Sequence, residues 1–108
     1  MSNFLEGEDM VRAFVSEYGF DVSGHANYDE YGYDIVCSAI SAITQSVAMA
    51  LRKHTKAKVK STRGWVSVEV EEPNEISNIL LDVLRMGLVE IANEYPQHLE
   101  VRTKRGAF

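Results

Sequence analysis

Residues 34–53 read DIVCSAISAITQSVAMALRK, the stretch of the chain with the clearest periodicity. Its larger apolar residues recur at intervals of four, three, four and four, at Val36, Ile40, Ile43, Val47 and Leu51. That spacing places them on one stripe of an α-helix. Asp34 is a suitable N-cap, because its carboxylate can accept backbone N–H groups. We therefore predict a helix that follows Asp34 and runs to about Arg52 or Lys53.

Alternating apolar and polar residues predict strands on both sides of this helix. The predicted strands are residues 10–17, 20–23, 58–62, 65–70 and 99–103. A second helix should begin at Pro73-Asn74-Glu75 and end near Tyr95-Pro96, since proline cannot continue a helix. The order β-β-α-β-β-α-β predicts an α+β fold, a two-layer sandwich of two main helices on a mostly antiparallel sheet.

The composition indicates one soluble globular domain. The chain has 108 residues, 45% of them apolar and 25% charged, which is enough for a core without disulfides or metal. We expect a single domain over residues 1–108, with residues 1–9 as a flexible acidic leader. No apolar run is expected to span a bilayer, and the first residues lack the features of a secretory signal. The one cysteine favours a reducing, cytoplasmic location.

Charge is unevenly distributed along the chain, whose net charge is −5. Residues 1–34 carry eight acids against one base, whereas residues 52–63 carry six bases and no acid. The acidic part should attract cationic partners and repel nucleic acid. The alternative for each charge run is a solvated face without a partner.

Cys37 and His25 are the two residues best suited to covalent chemistry. Cys37 would be about the third residue of the predicted helix, where unpaired N–H groups and the helix dipole favour a thiolate and can hold an oxyanion. His25, twelve residues upstream, is placed to act as base and then as acid. Asp34 would cap the helix or orient His25. The alternative is that Cys37 is a buried, inert side chain.

The other motifs favour no metal or cofactor. His54 and His98 have no metal-ligand spacing and are expected to be exposed. There is no glycine-rich phosphate loop. A thiol redox protein is disfavoured, because the second cysteine of a Cys-x-x-Cys motif is missing.

The residues around His25 and Cys37 resemble the motif of one family. Residues 23–26 are Ser-Gly-His-Ala, residues 32–37 are Gly-Tyr-Asp-Ile-Val-Cys, and eleven residues separate the histidine from the cysteine. This resembles the ribosomal-processing cysteine proteases (Prp), whose motif is Gly-His-Ala followed by a cysteine after Gly-x-Asp-Ile-Val. The predicted order of elements is similar too, so the resemblance covers nearly the whole chain.

The resemblance implies a protease of certain bacteria and related phages. Such a protease removes a short N-terminal extension from a protein of the large ribosomal subunit. Cys37 would be the nucleophile and His25 the general base, with Gly24, Asp34 and Ser41 in supporting positions. The family also forms small homodimers, which agrees with the wide apolar surface of the second predicted helix.

The loop of residues 26–33 is the predicted substrate-binding segment. Asp29 and Glu30 would match the charge of the extension, and Tyr28, Tyr31 and Tyr33 would offer apolar surface beside the scissile bond. The alternative is that the tyrosines pack back on the domain.

Two other functions stay open. One is a binding module that docks on a ribosomal protein or RNA without cleaving it, for which the basic segment 52–63 beside Trp65 is the best support. The other is a relative that processes a phage protein, which the acidic leader and the short first turn leave open. The protease hypothesis requires neither direct nucleic-acid binding nor a membrane.

Overall fold

The described part of the chain folds as two helices on a five-stranded sheet. The computed structural model describes residues 10–24, 31–62 and 64–103, and of residues 31–34 it describes the backbone alone. Its elements are β1 (Val11–Ser16), β2 (Gly19–Ser23), α1 (Tyr31–His54), β3 (Ala57–Thr62), β4 (Trp65–Val70), α2 (Glu75–Glu94) and β5 (Leu99–Thr103). The predicted fold class and element order are confirmed, and β4 and β5 have the predicted bounds. The predicted leader, residues 1–9, lies outside the described residues.

The sheet has the strand order β3-β4-β2-β1-β5. Four strands pair antiparallel with their neighbours, and β5 pairs parallel with β1, with Val11 opposite Leu99. Buried and exposed residues alternate along β1, and the buried set, Val11, Ala13 and Val15, belongs to the core. Both helices pack on that apolar face, α1 against β3 and β4 and α2 against β1 and β5. The result is the predicted two-layer, mostly antiparallel sandwich.

The two helices also pack against each other. Leu81, Leu84 and Leu88 of α2 are completely buried. Next to them, Gly87 lies against Ile43 of α1, and a Cβ on Gly87 would come within 2.2 Å of the Ile43 Cδ1 atom. The helices therefore approach closely at a point where α2 has no side chain.

The start of α2 agrees with its predicted position. Asn74 is the N-cap, and its side chain accepts a hydrogen bond from the Ser77 backbone N–H at 2.9 Å. The Ser77 hydroxyl in turn accepts the Asn74 backbone N–H at 2.9 Å. This reciprocal capping box satisfies two N–H groups that the helix leaves without partners.

The start of α1 differs from the prediction. The helix begins at Tyr31, so Asp34 is its fourth residue and not its N-cap. An acidic residue is stabilised by the helix dipole anywhere in the first turn. Asp34 therefore marks the beginning of the helix only to within one turn, and residues 31–33 of the predicted loop belong to the helix.

The apolar segment of α1 is longer than we expected from the sequence. By length and composition alone, Ile35–His54 of α1 could cross a membrane, which corrects the expectation that no such run exists. The core helix of a globular domain passes the same test. Here Val36, Ile40, Val47 and Leu51 are buried in the core beneath the sheet, so these four apolar residues of α1 already have a packing role.

Burial separates one residue of each helix by its expected effect on stability. Leu84 of α2 is 0% exposed and Met49 of α1 is 69% exposed. Leu84→Ala should lower the free energy of unfolding by about 2–5 kcal/mol, because it leaves a cavity between the helices and the sheet. Met49→Ala should change it by less than about 0.5 kcal/mol. Urea denaturation measures both, and equal losses would contradict this arrangement of the core.

Candidate active site

Cys37 lines a cavity of about 160 Å³ between α1, the end of β2 and the β3–β4 turn. The thiol is partly buried. All the described residues around the cavity are uncharged: Val11, Val22, Ser23, Gly24, Cys37, Ile40, Ser41, Thr44, Gln45, Ser61, Thr62, Gly64, Trp65 and Val66. The part of the cavity wall that the structure describes is therefore neutral and contains the Cys37 thiol.

The helical repeat of α1 determines which residues join Cys37. Ile40, Ser41, Thr44 and Gln45 follow it at three, four, seven and eight positions, so all five lie on one face of the helix. Ile40 belongs to the core as well, which anchors this face. Ser41, predicted as a supporting residue, is thus one turn from Cys37 on the same cavity wall.

Gly24 forms part of the opposite wall. Its φ is +135°, and a Cβ there would lie 2.7 Å from the Val11 Cα atom and 2.8 Å from the Met10 carbonyl oxygen. Its backbone N–H donates a hydrogen bond to the Gly64 carbonyl at 3.0 Å. Only glycine fits both the backbone conformation and the close contact. The chain therefore leaves β2 toward residue 25 on a path that a side chain at position 24 would block.

Trp65, the first residue of β4, is one of the residues that line the cavity. Its indole N–H donates to the Asp21 carboxylate with an N···O distance of 2.9 Å. Asp21 is an exposed residue of β2, the strand paired with β4. The bond therefore ties the Trp65 ring to the exposed face of the sheet.

Comparison with known proteins identifies the family of the chain. The family model described as cysteine protease Prp matches residues 10–100. This chain belongs to the Prp family of cysteine proteases.

Individual relatives agree with that assignment. The chain is 30% identical to the ribosomal processing cysteine protease Prp of Mycoplasma pneumoniae over 97 residues, which are 89% of this chain and 97% of the relative. Its fold is similar to that of the S. aureus ribosomal processing protease Prp solved in complex with a substrate peptide. That comparison has a TM-score of 0.75 and 21% identity, and covers 88% of this chain and 98% of the other. The same S. aureus protein with a covalently linked product peptide has a TM-score of 0.69 and 24% identity, and the coverage is again 88% and 98%.

The position of Cys37 in this Prp protein differs from the prediction. It is the seventh residue of α1, in the second turn and not at about the third residue. Only the first four N–H groups of a helix lack intrahelical acceptors, and the dipole effect falls off within the first turn. The expectation that the helix start both activates Cys37 and forms its oxyanion hole is therefore wrong, because α1 begins earlier than Asp34.

Several predicted site residues lie outside the described residues. These are His25, Tyr28, Asp29 and Glu30. For Tyr31, Tyr33 and Asp34 the backbone is helical, and nothing follows about their side chains. The structure thus brings together three predicted residues, Gly24, Cys37 and Ser41, and the other roles stay predictions.

The two remaining histidines differ from each other. His54, in the last turn of α1, is exposed as predicted. His98 is partly buried and its Nδ1 atom is shielded from solvent, which corrects the expectation that it is exposed. Its carbonyl accepts the Val11 backbone N–H at 3.0 Å, so the turn before β5 is tied to β1. Over residues 10–24, 31–62 and 64–103, no three metal-ligating side chains are grouped.

The constraint on Gly24 can be tested directly. Gly24→Ala should lower the free energy of unfolding by about 1–3 kcal/mol, because the new Cβ meets backbone atoms in a strained conformation. Proteolytic activity should fall as well, since the wall opposite Cys37 is displaced. Ser23→Ala, one residue earlier in ordinary strand geometry, should change stability by less than about 0.5 kcal/mol. Thermal unfolding of both variants provides the comparison, and a fully stable Gly24→Ala protein would contradict the close contact.

Proposed function

We propose that this Prp protein is an endopeptidase that removes a short N-terminal extension from a protein of the large ribosomal subunit. The observation that carries the proposal is the place of Cys37, the one cysteine of the chain, in the wall of an open cavity next to Gly24. The name of the M. pneumoniae relative supports ribosomal processing. The substrate and product peptides bound to the S. aureus protein support peptide cleavage with a covalent step.

In this proposal Cys37 is the nucleophile and His25 the general base and acid. The Cys37 Sγ attacks the scissile carbonyl carbon while His25 accepts the thiol proton. His25 then gives this proton to the leaving amine, the C–N bond breaks, and a thioester remains on Cys37. Water, deprotonated by His25, hydrolyses the thioester and restores the thiol.

The oxyanion needs donors other than the Cys37 backbone N–H, which lies inside α1. Among the described residues that line the cavity, the side-chain donor closest to Cys37 along the helix is the Ser41 hydroxyl, one turn away. We assign Ser41 the role of donor to the oxyanion or to the substrate carbonyl. Gly24 shapes the backbone next to His25, and Asp34 orients His25.

The substrate extension binds across the segment that precedes α1. Asp29 and Glu30 provide negative charge for a cationic extension, and Tyr28, Tyr31 and Tyr33 provide apolar contact surface. The described cavity carries no charge of its own, so we place the charged part of the extension outside it. A processing enzyme of newly made ribosomal protein acts in the cytoplasm, which we propose as the location.

A cleavage assay with a cysteine variant tests this function. The unprocessed ribosomal protein is incubated with the wild type, with Cys37→Ala, and with Ser46→Ala, which alters an exposed residue of α1 outside the cavity. Cys37→Ala should lose about 1,000-fold or more of the rate, because the nucleophile is gone. Ser46→Ala should stay within about twofold of the wild type.

The same assay separates the alternatives. Equal cleavage by the wild type and Cys37→Ala would contradict the proposal. Equal binding without cleavage by either would favour the docking module, and cleavage of a phage structural protein instead would favour the phage-processing relative. Mass spectrometry of the products locates the cleaved bond in each case.

We also propose that the protein is a homodimer through α2. The helix exposes a stripe of large apolar residues at intervals of three and four: Ile76, Ile79, Val83 and Met86. Ile79 is 56% exposed and Met86 57%, which is unusual for a contiguous patch on a monomer. A twofold axis across the stripe would bury it against its own copy.

A charge placed on the stripe should disrupt this dimer. Ile79→Glu should give the monomer mass in analytical ultracentrifugation, because a buried, unpaired carboxylate is costly. Asn78→Glu adds the same charge at the neighbouring exposed position, off the stripe, and should leave the mass unchanged. A monomeric wild type, or two variants with the same mass, would contradict a dimer through α2.

A further inference from the structure

The face of the sheet opposite the helices is open within the part of the chain that the structure describes. Both helices pack on the other face, against the buried residues of β1, so the alternate residues of each strand point away from the core. Phe14 pairs with Asp21 on β2 and with Arg102 on β5, and such cross-strand partners share a face. Phe14 is 44% exposed, so an aromatic ring lies uncovered on the open face between β2 and β5.

A second aromatic residue belongs to the same face. Trp65 pairs with Ser23 of β2, and its indole N–H is bonded to the exposed Asp21 at 2.9 Å. One strand, β2, separates Trp65 on β4 from Phe14 on β1, which places their backbone positions about 10 Å apart across the sheet. Aromatic rings on an open sheet are a common platform for the unstacked bases of a single strand of nucleic acid.

Two arginines are held beside Phe14. The Glu100 carboxylate accepts a hydrogen bond from the Arg12 Nε atom at 3.2 Å and another from the Arg102 Nε atom at 3.0 Å. The two arginine side chains are nevertheless 55% and 74% exposed, and both line a depression of about 440 Å³ that also contains Phe14. Guanidinium groups bind phosphate in a bidentate manner. A nucleotide in this depression would therefore have Phe14 as a partner for its base and the arginines as partners for its phosphate.

Positive charge exceeds negative charge on the open face. Its described cations are Arg12, Lys58, Lys60 and Arg102, and its described acids are Asp21, Glu69 and Glu100. Two of these acids already have partners, because Asp21 is bonded to Trp65 and Glu100 to the arginines. Of the acids in residues 1–34, which we expected to repel nucleic acid, Asp21 alone belongs to the described part of this face. The chain just before β3 adds Arg52, Lys53 and Lys56 and no acid.

The mixture of charged and aromatic side chains distinguishes this face from a protein-docking surface. Charged residues are depleted in the core of a protein–protein interface, and the apolar stripe of α2 has that composition. On the open sheet, charged side chains surround both rings instead. Asp21 and Ser23 line the depression as well, and both can accept a hydrogen bond from the ribose 2′-hydroxyl, which distinguishes RNA from DNA.

We propose that the open face of the sheet binds single-stranded RNA, with bases stacked on Phe14 and Trp65 and phosphates bound by Arg12 and Arg102. The lysines of β3 extend the contact with the phosphate backbone. Phe14 and both arginines lie outside the lining of the cavity that contains Cys37. RNA binding is therefore a second function, which goes beyond the proposed proteolysis and does not depend on it.

Two optical signals test the proposal in the wild type. A fluorescein-labelled RNA of about ten nucleotides and mixed sequence should bind with a Kd of about 1–100 μM at low salt, measured by anisotropy. An unlabelled copy should quench the fluorescence of Trp65, the one tryptophan of the chain, because a base stacks on its ring. DNA of the same sequence should bind at least about threefold more weakly. Binding of RNA without quenching, or equal affinity for DNA, would overturn the proposal.

Substitutions on the face separate stacking from charge. Phe14→Leu keeps an apolar side chain but loses the ring, and should weaken RNA binding about tenfold, whereas Phe14→Tyr should keep the affinity. Arg102→Gln should weaken binding and reduce the slope of log affinity against log salt by about 0.7. Arg85→Gln removes the same charge from α2, on the other layer, and should change neither quantity. Equal affinities of the wild type, Phe14→Leu and Arg102→Gln would rule out this face as the RNA site.

The same variants separate RNA from a protein partner and from proteolysis. The Arg102 side chain is 74% exposed, so its replacement leaves no cavity and its effect does not come from unfolding. Cleavage of a short peptide by Phe14→Leu and Arg102→Gln should stay within about twofold of the wild type. The RNA titrations remain decisive even if the wild type cleaves no peptide. If these substitutions weaken binding of the unprocessed ribosomal protein and leave RNA binding unchanged, the face docks a protein and the proposal is wrong.

Discussion

The packing of α1 on the sheet is the constraint on which the site depends. Val36, Ile40, Val47 and Leu51 are buried, so α1 can neither rotate nor slide without exposing part of the core. The face that bears Cys37 is adjacent to this buried stripe and is fixed with it. The cavity is therefore a consequence of core packing, and the same residues that stabilise the domain determine the position of the Cys37 thiol.

The wall opposite the thiol depends on the backbone more than on side chains. Gly24 directly follows β2, has a positive φ and is hydrogen-bonded to Gly64 in the β3–β4 turn. Two glycines thus join three strands at the point where the chain leaves the sheet toward α1. An arrangement of this kind leaves room for a peptide, because no side chain projects from either residue.

Much of the fold could be predicted from local patterns. The strands have two-residue alternation, α1 has its apolar stripe, and α2 has a proline before it and another after it. These patterns predicted the seven elements of the described residues in their order. The start of α1 could not be placed, since an acid such as Asp34 is compatible with both the N-cap and the first turn. Because the predicted start of α1 was about one turn too late, thiolate stabilisation and an oxyanion hole were wrongly assigned to the helix start. The apolar stripe of α1 was nevertheless predicted correctly.

The candidate site was predictable only in part for a similar reason. The spacing along one helix predicts that Ser41 lies near Cys37, and the sequence motif predicts that Gly24 belongs to the same site. The cavity wall opposite α1, however, also includes residues of the β3–β4 hairpin, which is distant in sequence. Ser61, Thr62 and Trp65 reach the cavity because β4 pairs with β2, and strand order is not written in any local pattern.

The parallel pairing of β1 with β5 has a consequence for how the protein is made. Arg12 and Glu100, which are bonded across this pair, are 88 positions apart in the chain. β1 lies between β2 and β5, so one of its edges has no partner until β5 has been synthesised. Contacts of such long range slow folding and bring the sheet together late. During translation the sheet can therefore be completed only after β5 has left the ribosome, so β1 keeps one unpaired edge until that point.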